Sequence, residues 1–169
     1  MANKSKILRG VVPPVCTPFT SDYEVDEKSF RRLINHLIDG GVHGLFVLGS
    51  TSEVAYLTDK RRADVIRIAI DETAGRVPVV AGAIDMTTFR VNEHVRAAVG
   101  AGIDGIVITV PFYVRTHPEE IALHFRLVKE ACGDVPLYAY DIPGAVNGVK
   151  LETATVLKLA KEGVIQGLK

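Results

Sequence analysis

Short glycine-rich junctions, each leading from a predicted helix into a predicted strand, constrain this fold more than any other feature. The junctions Gly41-Val42-His43-Gly44, Gly102-Ile103-Asp104-Gly105 and Gly163-Val164-Ile165-Gln166 begin at residues 41, 102 and 163, so they recur every 61 residues. Two other strands open alike, with Val77-Pro78 and Val135-Pro136, 58 residues apart. This period accommodates two βα modules of about thirty residues each, the length that a right-handed crossover in a parallel sheet requires.

Apolar runs predict six strands, and the periodic segments between them predict five helices. The predicted strands span residues 11–16, 44–48, 77–81, 106–110, 135–140 and 163–169. Prolines 13 and 14 make the first strand short and irregular. Helix N-termini are predicted at Asp26, at Thr58, at Thr87 or Thr88, and at Pro118. The helix after Thr58 is expected to bury a stripe of Ala63, Ile66, Ile70 and Ala74.

Two architectures fit this alternation of strands and helices. A flavodoxin-like open sheet needs five strands, whereas a (β/α)8 TIM barrel needs eight, in about 250 residues. The regular alternation favours the barrel. Residues 1–169 are therefore predicted to form a single barrel domain that supplies about the first six strands and is incomplete at its C-terminal end.

Composition excludes several classes of function. Twenty basic and twenty acidic residues cancel and form no basic tract, so neither a nucleic acid nor a membrane surface is an expected partner. No apolar run reaches the length of about eighteen residues that a membrane span needs, and Met1 to Lys6 lack the apolar core of a signal peptide. A cytoplasmic protein that binds a small metabolite is expected.

Motifs for cofactors are missing or misplaced. The five histidines fall at no metal-like spacing, so no metal site is predicted. The segment Gly100 to Gly105 matches a dinucleotide-binding pattern, but it precedes a strand instead of following one. No organic cofactor is therefore expected.

Polar side chains follow several predicted strands at the edge where barrels bind ligands. Lys169 ends the last strand and Tyr140 the fifth, Tyr113 follows the fourth, and the turn 49–53 follows the second with the hydroxyls of Ser50 and Thr51. That turn can hold a carboxylate through hydroxyl and backbone N–H groups. Each of these features also has a purely structural interpretation: the lysine can be an ordinary solvent-exposed residue, the turn can cap a helix, and the tyrosines can be packing residues.

Together these pieces resemble the dihydrodipicolinate synthase / N-acetylneuraminate lyase family. The resemblance rests on Gly49-Ser50-Thr51-Ser52-Glu53, Val110-Pro111-Phe112-Tyr113, Tyr140-Asp141-Ile142-Pro143 and Gly167-Leu168-Lys169, in the expected order. It implies a (β/α)8 barrel, usually a homotetramer, that acts on pyruvate or another 2-oxo acid without a cofactor.

The resemblance also implies roles for individual residues. Lys169 is similar to the Schiff-base lysine, Tyr140 to the phenol that relays protons, and Ser50 and Thr51 to the residues that hold the 2-oxo acid carboxylate. Tyr113 is similar to a tyrosine that reaches a neighbouring subunit's site. A lysine sheltered in an apolar barrel mouth is expected to be an effective nucleophile, because burial disfavours its charged form.

Three departures from the family pattern bear on the substrate. Ser52 stands where the family has glycine, Asp141 replaces an asparagine, and Ala145 replaces the arginine that grips the second substrate of dihydrodipicolinate synthases. The loss of that arginine favours a lyase, by retro-aldol cleavage or dehydration, that acts on a 2-oxo-3-deoxy sugar acid or a related compound. Dihydrodipicolinate synthesis from pyruvate and aspartate semialdehyde is the second hypothesis, and a non-catalytic 2-oxo-acid-binding barrel is the third.

Overall fold

Five parallel strands alternate with five helices in the part of the chain that the structure, a computed structural model, describes, residues 8–169. The helices are α1 (Glu27–Asp39), α2 (Asp59–Thr73), α3 (Thr88–Ala101), α4 (Pro118–Cys132) and α5 (Thr153–Lys161). The strands are β1 (Leu45–Val47), β2 (Val79–Gly82), β3 (Gly105–Ile108), β4 (Leu137–Ala139) and β5 (Gly167–Leu168).

The order of the strands decides between the two predicted architectures. The sheet runs β1-β2-β3-β4-β5, so each strand pairs with the next one along the chain. An open flavodoxin-like sheet would reverse direction at a switch point, whereas a barrel winds in one direction. The barrel-type α/β fold is therefore confirmed.

The segment predicted as the first strand is reduced to a single bridge. Pro14 pairs in parallel with Phe46; Val15 donates its N–H to the Phe46 carbonyl at 2.9 Å, and Phe46 donates to Pro13 at 3.0 Å. A proline has no N–H to give to a ladder, which is why the pairing does not extend. The irregularity expected from the two prolines is confirmed.

The 61-residue repeat corresponds to a repeated contact that we call the clasp. At each site, the backbone N–H of one residue donates to the carbonyl of a residue on the preceding strand segment. The side chain of the first residue then accepts the backbone N–H of the second. The pairs are His43 with Val11, Asp104 with Val79 and Gln166 with Leu137, with all six distances between 2.8 and 3.0 Å. The third clasp lies one residue later in its junction than the other two.

At the two junctions without a clasp, β1 with β2 and β3 with β4, the contact at this level is a hydrogen bond to a proline carbonyl. Leu45 donates its N–H to the Pro78 carbonyl, and Ile106 donates to the Pro136 carbonyl, both at 2.9 Å. Each proline lies just before β2 or β4, where its missing N–H interrupts no ladder bond. This accounts for the repeated Val-Pro openings.

Two hydrophobic clusters cover the two faces of the sheet. The larger lies between the sheet and the helices and includes Phe30, Leu45, Ile106, Phe125 and Leu137. The smaller lies on the inner face and consists of Phe46, Val80, Val107 and Tyr140. Because adjacent residues of a strand point to opposite faces, Phe46 points inward while Leu45 faces the helices.

Two local predictions were wrong. In α2 the buried residues are Arg62, Val65, Ile66, Ile68, Ala69 and Thr73, whereas Ala63 and Ala74 are exposed. Arg62 can be buried because its guanidinium donates to the Leu57 and Ile84 carbonyls. In residues 163–169, predicted as a buried sixth strand, only Gly167–Leu168 is a strand, and Leu168 is 53% exposed.

Membrane-spanning character is absent from the helices of residues 8–169. None of the five helices there combines the length and apolarity that crossing a bilayer demands. The Met1 to Lys6 stretch that bears on targeting lies outside the described residues.

Substitution of a clasp side chain should weaken the sheet. We expect Asp104→Ala to lower the free energy of unfolding by about 1–3 kcal/mol, because the Val79 N–H then loses its acceptor. Urea denaturation measures the change. Asp104→Asn, which retains an acceptor oxygen, should recover most of it; equal loss in both variants would contradict the role of the clasp.

Candidate active site

Pairing between β4 and β5 brings two of the predicted site residues together at the carboxyl edge of the sheet. Lys169 donates its backbone N–H to the Ala139 carbonyl, and Asp141 donates its N–H to the Lys169 carbonyl, both at 2.9 Å. Lys169 and Tyr140 therefore extend from neighbouring strand ends into the same space.

The amine of Lys169 lies against aromatic rings. Its Nζ is 3.8 Å from the centroid of the Tyr140 ring and 5.8 Å from that of Phe46. The two rings meet edge to face, with centroids 6.2 Å apart and an interplanar angle of 80°. Such contacts hold an ammonium group in place while leaving it accessible. Phe46 is a site residue that sequence reasoning missed, because the uniformly apolar run 44–48 does not indicate which residues face inward.

Tyr140 connects the amine to the turn after β1. Its hydroxyl lies 3.2 Å from Ser50 Oγ, and the residue is only 7% exposed. Burial alone would raise the pKa of the Tyr140 phenol, but the Lys169 amine and the Ser50 hydroxyl outweigh burial and leave that pKa lowered. A phenol that releases its proton more easily is suited to proton transfer.

The turn after β1 is held by Ser52, the residue that stands in place of a glycine. Ser52 is 1% exposed; its Oγ accepts the Leu48 N–H at 3.1 Å and lies 2.9 Å from Thr17 Oγ1. The Thr17 hydroxyl also contacts the Ser52 carbonyl at 3.0 Å. The positive φ angles around this turn, 57° and 58°, belong to Leu48 and Glu53, so Ser52 adds a side chain without backbone strain.

Two predicted site residues lie apart from this group. Thr51 is exposed in the short 3₁₀ helix Ser50–Ser52, and no hydrogen bond joins its hydroxyl to Tyr140 or Lys169 among the described contacts. Tyr113 lies in the loop after β3 and is 77% exposed. The structure thus brings together Lys169, Tyr140 and Ser50, but not Thr51 or Tyr113.

Lys169 is not sheltered from water, contrary to the sequence-based expectation. It is exposed and borders an open cavity of about 430 Å³ on the inner face of the sheet, next to Phe46 and Tyr138. Within residues 8–169, β5 borders this cavity and pairs with β4.

A second cavity, of about 320 Å³, lies on the side of Ser50 and Tyr140 that faces the loop after β4. Val54, Ile84, Phe112, Ile142, Ala145 and Val146 provide most of its apolar lining. Glu53 is the one charged residue among the described residues that line it. The loop itself is anchored by Asp141, whose Oδ1 accepts the Leu151 N–H at 3.1 Å.

Several histidines have structural contacts outside this site. His94 lies 2.9 Å from Asp85, His117 caps α4, and His124 lies 2.9 Å from the Thr88 hydroxyl. In residues 8–169, no three His, Cys, Asp or Glu side chains are grouped in a way that could hold a metal ion.

Comparison with known proteins identifies the family of the chain. A sequence model of the dihydrodipicolinate synthetase family matches residues 7–169. The chain belongs to this family. A 4-hydroxy-tetrahydrodipicolinate synthase of Salinibacter ruber is 38% identical over 156 residues, which are 92% of this chain and 51% of that protein. The synthase of Methanothermobacter thermautotrophicus is also 38% identical, over 96% of this chain and 56% of the relative.

Solved structures of the family have the same fold. A prophage protein of the dihydrodipicolinic acid synthase family from E. coli K12, solved in complex with pyruvate, superposes with a TM-score of 0.92 and 35% identity. The match covers 97% of this chain and 55% of that protein. The chain thus spans about half the length of the relatives it matches.

The role of Ser52 can be tested by its removal. We expect Ser52→Ala to lower the free energy of unfolding by about 1–3 kcal/mol, because the buried Thr17 hydroxyl and the Leu48 N–H both lose a partner. Urea denaturation provides the measurement. The control Thr51→Ala removes an exposed hydroxyl that takes part in none of the described hydrogen bonds, and it should change stability by less than about 0.5 kcal/mol. Equal stability of Ser52→Ala and the parent protein would contradict this anchoring role.

Proposed function

We propose that this chain carries the Schiff-base site of a class I lyase that acts on a 2-oxo acid. One observation carries the proposal: the Lys169 amine lies 3.8 Å from the centre of the Tyr140 ring, while the Tyr140 hydroxyl lies 3.2 Å from Ser50 Oγ. An amine, a phenol and a hydroxyl in successive contact are the groups that imine formation and proton transfer require.

The chemistry begins at the ketone carbon of the substrate. The neutral form of Lys169 adds to that carbon, and water leaves as the iminium forms. Tyr140 delivers and removes the protons of these steps, helped by its lowered pKa. The iminium then accepts electrons from the adjacent carbon, so that a carbon–carbon bond or a leaving group one carbon further can be broken. No metal or organic cofactor is required.

Ser50 and Thr51 are proposed to hold the carboxylate of the 2-oxo acid. The turn offers two hydroxyls and the backbone N–H groups of a short 3₁₀ helix at the strand end. Ser50 is already in contact with Tyr140, which supports its role directly. Thr51 depends on the family resemblance alone.

The part of the site that holds the second half of the substrate is proposed to lack a carboxylate clamp. This fits a 2-oxo-3-deoxy sugar acid that a lyase cleaves or dehydrates. Ala145 lines the cavity beside Tyr140 where the synthases carry an arginine, and the charged residue of that lining, Glu53, would repel an anion. These features disfavour aspartate semialdehyde as the partner.

Dihydrodipicolinate synthesis is the second candidate. The names of the relatives favour it, since the proteins of Salinibacter ruber and Methanothermobacter thermautotrophicus are both 4-hydroxy-tetrahydrodipicolinate synthases. A third candidate, a barrel that binds a 2-oxo acid without turnover, is disfavoured by the presence of the lysine, the tyrosine and the Ser50 hydroxyl together.

A homotetramer in the cytoplasm is proposed as the working form. Exposed apolar side chains follow β1, β2 and β3 at the same end of the sheet: Tyr56, Phe89, Tyr113 and Val114, each 69–84% exposed. Large exposed aromatic groups on one side of a protein are typical of an interface. Tyr113 is proposed to enter the site of a neighbouring subunit from this surface.

Borohydride reduction in the presence of pyruvate tests imine formation. We expect a covalent adduct on the peptide that contains Lys169, because reduction fixes the iminium to its nitrogen; peptide mass spectrometry detects it. Lys169→Ala should form no adduct and should lose activity by at least about 10³-fold. Lys161→Ala, at an exposed lysine in the last turn of α5, is the control and should react normally. No adduct in the parent protein would favour the non-catalytic alternative.

A substrate panel separates the lyase from the synthase. We expect release of pyruvate or loss of water from one of a series of 2-oxo-3-deoxy sugar acids, with condensation of pyruvate and aspartate semialdehyde at least about tenfold slower, since the arginine clamp is absent. Lactate dehydrogenase coupling measures released pyruvate, and direct product analysis covers dehydration and condensation. Efficient condensation with the semialdehyde would establish the synthase instead.

A further inference from the structure

One buried titratable group has no part in the proposed chemistry. His124 lies in the second turn of α4 and is 2% exposed. Burial lowers the pKa of His124 to about 4, although the Thr109 backbone opposes that shift. The imidazole is therefore neutral at physiological pH, with one nitrogen that donates and one that accepts.

The ring is placed behind the strand ends that form the site. Its Nδ1 is 2.9 Å from the hydroxyl of Thr88, the first residue of α3. The backbone of Thr109, which directly follows β3, also lies close enough to the ring to act on its pKa. The preceding residue, Ile108, accepts the Tyr140 N–H at 2.8 Å. Thr109, whose backbone acts on His124, thus directly follows the residue that accepts the Tyr140 N–H.

This arrangement is unfavourable as a purely stabilising device. Within the described residues, the buried His124 Nε2 and the buried Thr109 Oγ1 have no hydrogen-bond partner of normal geometry. Leaving buried polar atoms unpaired destabilises a fold, and apolar groups of the same shape would avoid the penalty. The Thr109 side chain also lines the cavity beside Ser50 and Tyr140.

We propose that His124 is a positioning residue: through Thr88 and Thr109 it fixes the end of β3 and so sets the orientation of Tyr140 toward Ser50 and Lys169. The inference rests on the proposed Schiff-base function and extends it, because the ring touches neither the substrate nor the reacting amine.

The decisive variant is the double substitution Thr88→Val with His124→Phe, which removes both members of the hydrogen-bonded pair at once. Two reactions are measured on the complete protein. Borohydride trapping with pyruvate reports imine formation. Exchange of pyruvate methyl protons in D₂O reports the step in which the iminium loses a carbon-bound proton and the enamine takes up a deuteron.

We expect the double variant to remain folded, with a thermal midpoint within a few degrees of the parent, and to bind pyruvate with a half-saturation concentration changed by less than about twofold. Proton exchange should slow by about tenfold or more, because a small displacement of Tyr140 reduces proton transfer steeply. His124→Asn, which retains an acceptor near the place of Nδ1, should restore exchange to within about threefold. Thr73→Val is the matched control: it removes another buried, unpaired threonine hydroxyl, in α2, and should leave exchange unchanged.

Three outcomes would overturn the inference. Exchange in the double variant within twofold of the parent would exclude positioning. If the double variant does not fold, Thr88→Val alone is measured by the same two assays, and exchange within twofold of the parent in that variant would overturn the inference. Equal defects in His124→Asn and the double variant would exclude the Thr88 contact as the cause. A parent protein that forms no borohydride adduct would instead refute the proposed function itself, and the inference with it.

Discussion

The register between β4 and β5 is the constraint on which the candidate site depends. Tyr138 pairs with Gly167 and Ala139 with Leu168, so the residues that follow, Tyr140 and Lys169, emerge side by side. In a strand pair, a shift of one residue would turn every side chain to the opposite face. Short as it is, β5 therefore determines whether an amine and a phenol meet at all.

Much of the fold and the core of the site could be predicted from the sequence because both follow from strand order. Once apolar runs alternate with helices in a parallel sheet, residues at the strand ends must gather at one edge. Ser50, Tyr140 and Lys169 were identified in this way, and their contacts agree with that logic. The helix N-caps Asp26, Thr58 and Thr87 were also predictable, since capping depends on local residue chemistry.

The parts that could not be predicted depend on contacts between distant segments. A continuously apolar run such as 44–48 has no alternation, so the inward direction of Phe46 was hidden. Arg62 breaks the expected apolar stripe of α2 because carbonyls at Leu57 and Ile84 receive its guanidinium. The anchoring role of Ser52, which stands in place of a family glycine, was not predictable because its partner Thr17 lies 35 residues away.

The clasps add hydrogen bonds to some strand junctions of the sheet and not to others. Each clasp, at His43, Asp104 and Gln166, joins two neighbouring strand segments by two hydrogen bonds of opposite direction. At the corresponding positions Pro78 and Pro136 only accept a hydrogen bond through their carbonyls, because proline has no N–H. Local opening in proteins follows such differences in bonding. The backbone amides of Val11, Val79 and Leu137, which donate to the clasp side chains, should accordingly be protected from exchange with solvent.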